Sequence, residues 1–200
     1  MATKQEHEGD QHEQGGGKMS HQTKMYLRFA AMITTSMVVM YFTMFAGTWE
    51  WSHLQFSESR VFMAITMGGT MGLVMLAWML NMYKSMKGNI AIVAASLLLL
   101  GGGIALDRSQ VTVDDVNWMS AMIPHHSLAI TRSERADIDD IRVCQLAVEI
   151  IRAQEREISE MEWLIEDIEE NGEAETLEEA LARPVPEFDA SALRDCQSLD

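Results

Sequence analysis

Three stretches of the chain are continuously apolar and uncharged: Phe29 to Thr48, Val61 to Tyr83, and Gly88 to Leu106, of 20, 23 and 19 residues. A helix rises about 1.5 Å per residue, so roughly 20 residues cross the ~30 Å hydrocarbon layer of a bilayer. Core helices of a soluble protein keep a polar stripe at helical period, and these stretches have none. The pattern predicts three transmembrane helices. A polar segment of 24 residues precedes them, and no small-residue cleavage site follows a short apolar core, which argues against a cleavable signal peptide.

Downstream of Leu106 the period becomes that of amphipathic helices. Thr112 with Asp115 reads as an N-terminal cap opening a helix to about Ser133. Ala136 to Asp140 reads as a turn, with Asp137 or Asp139 able to cap a second helix that ends near Asn171, before Gly172. The seam of that helix, Cys144, Ala147, Ile151, Gln154, Ile158, Met161, Ile165 and Ile168, steps by three and four, as bundle helices do. Thr176 and Glu179 match a capping box for a last short helix before Pro184. The expected architecture is all-α. It comprises a disordered tail (1–24), a three-helix membrane anchor (25–106), an antiparallel hairpin (107–172), and a short helix with a loose C-terminus (173–200). A lone hairpin has one apolar seam and buries little surface, so it is expected to pair with a second copy, completing a four-helix bundle, or to lean on the last helix.

Charge divides the chain at the same place. Residues 1–106 hold 7 basic and 6 acidic residues, whereas 107–200 hold 8 and 24. An acidic domain of this kind would be repelled by a phosphate backbone, which excludes nucleic acid as a partner. Basic residues near the helix ends favour Lys18, Lys24, Arg28, Lys84 and Lys87 on the cytoplasmic side, leaving the first loop and the acidic domain outside.

Candidate chemistry lies in the methionines and histidines. Twelve of the 17 Met fall between Met25 and Met86. Met63, Met67, Met71, Met75 and Met79 recur every fourth residue, a stripe that fits either adaptable packing in lipid or a ladder of soft thioether ligands. Gly68 and Gly72 on the same helix predict a close helix–helix contact. In the acidic half, Met119, Met122 and His126 lie within about 60° of one another at 100° per residue, on the apolar face, with His125 about 100° further round. Gln154 and Met161 lie on the opposing seam, where an unpartnered Gln would be costly. With the turn near residue 137, residue i should face about residue 273 − i, setting Met119 near Gln154 and His126 near Ala147, with Cys144 about one turn beyond. Imidazole and thioether together suit Cu(I) or Ag(I), and core packing accounts for the same residues without a metal. His7, His12, Met19 and His21 make a metal-collecting tail conceivable, though a solvated tail suffices. Cys144 reads as a small buried residue. A disulfide to Cys196 requires an oxidising compartment and a C-terminus that is not loose. No nucleophile triad, phosphate loop or HExxH pattern is present, and the one ExxH, Glu50 to His53, falls in a loop, so no enzyme is expected.

The run Met122-Ile123-Pro124-His125-His126-Ser127-Leu128-Ala129-Ile130, with Ala147 to Gln154 and then Glu157, Ile158 and Met161, is similar to the signature of the domain of unknown function 305 family. The membrane half resembles the three-helix anchor of a bacterial subgroup, notably at Phe56-Ser57-Glu58-Ser59-Arg60. The resemblance implies a ferritin-like bundle whose characterised relatives bind copper or silver outside the cytoplasm. It carries over Met119, Met122, His125, His126 and Met161 as ligands. Gln154 and Cys144, which the expected hairpin register sets near them, are candidate auxiliaries. Thr131 stands where relatives often have Met. The expected function is thus a bacterial plasma-membrane protein with a periplasmic domain that handles Cu(I) or Ag(I). It would act as a homodimer or higher oligomer, with a copper donor or acceptor protein as partner. The alternatives are a metal-free interaction module and an oligomeric Cu(I) conduit through the methionine ladder.

Overall fold

The structure is a computed structural model that describes residues 20–196. The histidine-bearing tail up to Met19 lies outside the described residues. Six α-helices and no strand occur among the described residues: α1 (His21–Thr43), α2 (Glu58–Met79), α3 (Met86–Ser109), α4 (Asp115–Arg135), α5 (Ile141–Asn171) and α6 (Leu177–Ala182), with one 3-10 turn at Trp51–His53. The first three are long and apolar enough to cross a membrane. Each begins before its uncharged stretch, α1 and α2 also end before theirs do, and α3 alone runs past both ends, because capping rather than hydropathy starts a helix. Ser20, Ser57 and Ser85 each accept a backbone N–H three residues on, at the starts of α1, α2 and α3. The first helix stops at Thr43, and Met44 to Gly47 make turns.

Among the first three helices α2 is the centre. Where Gly68 has no side chain, the Met37 side chain of α1 comes in, and Ser96 of α3 does the same at Gly72. The closest approach to another helix's backbone is at Gly69, where an added Cβ would stand 2.6 Å from the backbone of Ser96 and Leu100. The close contact expected from the glycine spacing is present, and it joins α2 to both neighbours at once. Phe29, Ile33, Leu76 and Tyr83 form the buried cluster between α1 and the far end of α2.

In the acidic half α4 and α5 form an antiparallel hairpin around Met119, Ile123, Ile130, Ile151, Ile158 and Met161. Two of the expected caps move. Asp114, not Thr112, caps α4, and Thr112 donates instead to Glu58 at 3.1 Å. Asp140, not Asp137 or Asp139, caps α5, its carboxyl held down at about 2 by hydrogen bonds from the Arg142 side chain and backbone. Gly172 ends α5 with φ 79°, and Thr176 and Glu179 form the expected capping box. Gln110, at φ 50°, turns the chain from α3 into α4 in a left-handed conformation unusual for a non-glycine residue.

The hairpin does not stand alone, and α6 is not what completes it, since α6 buries no residue. The first loop packs Trp49 against the hairpin core, and the C-terminal segment packs Ala192 against it. The expectation of a loose C-terminus is corrected. Ser191 N–H donates to Glu155 at 2.8 Å and Leu193 N–H to Glu134 at 2.7 Å, while Arg194 donates to the carbonyls of Ser133, Glu134 and Ala136. That guanidinium satisfies the last carbonyls of α4, where a cation also meets the negative end of the helix dipole. A Cys144–Cys196 disulfide closes the strap. Cys144 is therefore not a free buried thiol.

Candidate metal site

The hairpin register decides which donors meet. His126 Nδ1 lies 3.2 Å from Glu157 Oε2, ten residues beyond the Ala147 that a pivot at residue 137 would give it. The reason is the connection: Ala136 leaves α4 extended, Asp140 enters α5 extended, and the pivot moves to the start of α5. In antiparallel order the buried residues then stack as Ile130 with Ile151, Ile123 with Ile158, and Met119 with Met161. Met122 packs against this same cluster and stands one turn before His126. Met119 and Met161 are thus part of the buried core, Met122 packs on it, and His126 stands one helical turn beyond Met122.

His126 is nearly enclosed, its side chain 13% exposed. Burial pushes the imidazole below its ordinary value, Glu157 opposes this, and the neighbouring His125 reinforces it. The ring is therefore neutral near pH 7, the form in which a histidine binds metal. Its Nδ1 is close enough to Glu157 for an ion pair but is not aligned for a hydrogen bond, and among the described residues it has no hydrogen-bond partner. An orphaned buried nitrogen is costly unless something occupies its lone pair or binds its proton. Glu157 is partly spoken for, since Gln154 Nε2 donates to Oε2 at 3.3 Å. Gln154 thus has its partner on its own helix.

Two other candidates lie apart. His125 is exposed, its ring centroid 5.9 Å from that of His126. Cys144 as an auxiliary ligand is corrected, because a disulfide sulfur offers no thiolate. Thr131 turns its hydroxyl back to the Ser127 carbonyl at 3.2 Å and adds no donor. Among the described residues no group of three or more His, Cys, Asp and Glu side chains could hold a metal ion.

In the membrane ladder Met63 and Met67 are exposed on the surface of α2, whereas Met71, Met75 and Met79 pack on the α1–α2 cluster. The five methionines therefore serve two surfaces of α2 within one chain.

Sequence reasoning missed the junction between the halves. Ser127 is fully buried, accepts the Trp49 N–H at 2.7 Å, and lies 2.8 Å from His53 Nδ1. A serine beside a histidine invites comparison with a nucleophile, but this hydroxyl is shut off from any substrate and holds the first loop to α4. The signal was present as a small polar residue on the side of α4 flanking the apolar face, with the loop histidine as its partner.

Residues 105–190 match the family described as Domain of unknown function (DUF305). Over 104 residues, 48% of this chain and 68% of the relative, the chain is 36% identical to "Uncharacterized protein L153" of Acanthamoeba polyphaga mimivirus. The chain belongs to the DUF305 family. No solved structure matches it.

Proposed function

We propose that the chain is a membrane-anchored protein whose extracytoplasmic hairpin binds Cu(I) or Ag(I) for tolerance or delivery. The observation that carries this reading is the water-shielded Nδ1 of His126, without a hydrogen-bond partner among the described residues, one helical turn from Met122, which packs on the core that holds Met119 and Met161. Soft sulfur and imidazole donors favour a soft monovalent ion over Mg, Ca or Zn. The extracytoplasmic placement is supported by the lysines and arginines flanking the opposite helix ends and, independently, by the disulfide, which persists in oxidising compartments.

A second copy completes a ferritin-like four-helix bundle in this reading. Trp118, Met122 and His125 fall within about 60° on α4, and Val143, Leu146 and Ile150 within about 60° on α5. Four of these, Trp118, Val143, Leu146 and Ile150, are large apolar side chains left exposed. Ser127 and Glu155, which hold the loop and the strap, stand about 180° around their helices from Trp118 and Leu146. One side of the hairpin is thus covered from within, and the opposite side is apolar, open and carries His125.

A metal-free interaction module is the second reading, favoured by the burial of Met119 and Met161, which packing alone explains. Thermal unfolding of the full chain in detergent separates them. A ligand of the folded state raises the melting temperature, so Ag(I) should raise it in the natural protein and not in Met122→Ala/His126→Ala. The same small response in both would favour the module.

A further inference from the structure

Between α1 and α2, at the end nearest the first loop, the two helices part and leave an apolar groove of about 1130 Å³. Val39, Phe42 and Ala46 form one wall, Val61 the other, and Trp51 and Phe56 of the first loop stand over the top. No charged side chain lines it. We propose that this groove holds an acyl chain of a phospholipid from the leaflet on the hairpin's side, its headgroup lying level with Trp51 and Gln55.

Depth is the first reason. Met37, the deepest lining residue of α1, lies seven residues from the Met44 cap, and Ile65 lies seven residues from the start of α2. At about 1.5 Å per residue the groove descends about 10 Å into a hydrocarbon layer ~30 Å thick, the depth of the upper part of an acyl chain. Water has no polar partners there, and an unfilled apolar space of this size forfeits the contacts that close packing supplies.

The roof is the second reason. The loop divides its side chains by side: His53 and Ser57 are buried against protein, whereas Trp51 is 88% exposed, and Leu54 and Phe56 are exposed as well. Tryptophan at a helix end, with its ring outward and a single N–H to offer, is placed as interfacial anchors are. The same roof discriminates between occupants. A span from a second copy would have to continue past the interface, where Trp51 and Phe56 stand; a lipid ends there in its headgroup and enters from the side. The occupant rests against the loop whose other side carries Trp49 and His53 to Ser127.

The test uses the full chain in nanodiscs of phosphatidylcholine containing a trace of phosphatidylcholine spin-labelled high on the acyl chain. Val39→Trp and Ala46→Trp fill the groove from exposed positions, and Leu98→Trp adds the same bulk on the exposed face of α3. An intact disulfide and an unchanged melting temperature establish that each variant is folded. The natural protein and Leu98→Trp should show a motionally restricted lipid component that Val39→Trp and Ala46→Trp lose. Equal restricted components in all four proteins would overturn the proposal. So would nanodiscs holding two copies of the natural protein but one of Ala46→Trp, with the lipid signal unchanged, because a second copy would then be the occupant.

Discussion

The hydroxyl of Ser127 lies 2.8 Å from His53 Nδ1, joining the middle of α4 to the loop between α1 and α2. Through this contact, and the Trp49 N–H that the same oxygen accepts, the hairpin is docked on its anchor rather than tethered to it. Gly47 adds to the docking, since the Leu128 side chain occupies the space its Cβ would need.

Ser127→Ala should therefore destabilise the full chain by about 1–3 kcal/mol, because it leaves a half-buried backbone N–H and a buried imidazole nitrogen without their common partner. Denaturant unfolding in detergent, followed by Trp fluorescence, measures this. A change within about 0.5 kcal/mol, as ordinary surface substitutions give, would mean that the loop is not held at Ser127.

Removing the disulfide should be at least as costly. Cys144 and Cys196 are separated by 52 positions, and closing a loop of that size stabilises a fold by about 2–4 kcal/mol. Cys196→Ser should lower the unfolding midpoint accordingly and release Arg194 from the end of α4. Alkylation of the native protein before any reduction checks the bond itself: both cysteines should be protected, and two labelled thiols would refute the strap.

The glycines make a paired prediction. At Gly69 an added Cβ meets backbone atoms of α3, which cannot swing aside, whereas at Gly101 it meets nothing within 4 Å. Gly69→Ala should lower the melting temperature of the detergent-solubilised chain, and Gly101→Ala should leave it unchanged or raise it slightly through helix propensity. Equal responses would show that α2 and α3 do not approach at this point.

Acid should weaken the hairpin through His126. Its folded-state value is depressed, by burial first, with Glu157 opposing and His125 adding to the effect, so the unfolded chain binds the proton more tightly. The stability conferred by the neutral ring is complete above the ordinary histidine value of about 6.5 and is lost as pH falls through that value toward the folded one. Unfolding between pH 8 and 5 should show this loss, and His126→Gln should flatten the curve over the same window. Parallel curves for the two proteins would exclude His126 as the source.

The sequence disclosed what depends on local pattern. The three helices long and apolar enough to cross a membrane follow from uncharged length, the α5 seam from its three–four spacing, and the end of α5 from Gly172. It did not disclose what depends on contacts between distant segments. His126 meeting Glu157 rather than Ala147 depends on how the five non-helical residues between α4 and α5 set the hairpin pivot, which periodicity does not encode. Cys144 meeting Cys196 depends on a polar segment returning along the hairpin through Ser191, Leu193 and Arg194, whose composition reads as loose chain. Trp49 was invisible as a core residue because it sits in a loop and packs into a domain more than 60 positions away.

Cu(I) affinity decides the proposed function. The full chain should be used, because Trp49 belongs to the hairpin core. In competition with a chromophoric Cu(I) chelator, the natural protein should withdraw the ion from the chelator, and Met122→Ala/His126→Ala should fail to do so. His125→Ala, on the open side of α4, should have the smaller effect in a single copy. Equal affinity for the natural protein and the double variant would contradict a copper site at His126 and leave its methionines as packing.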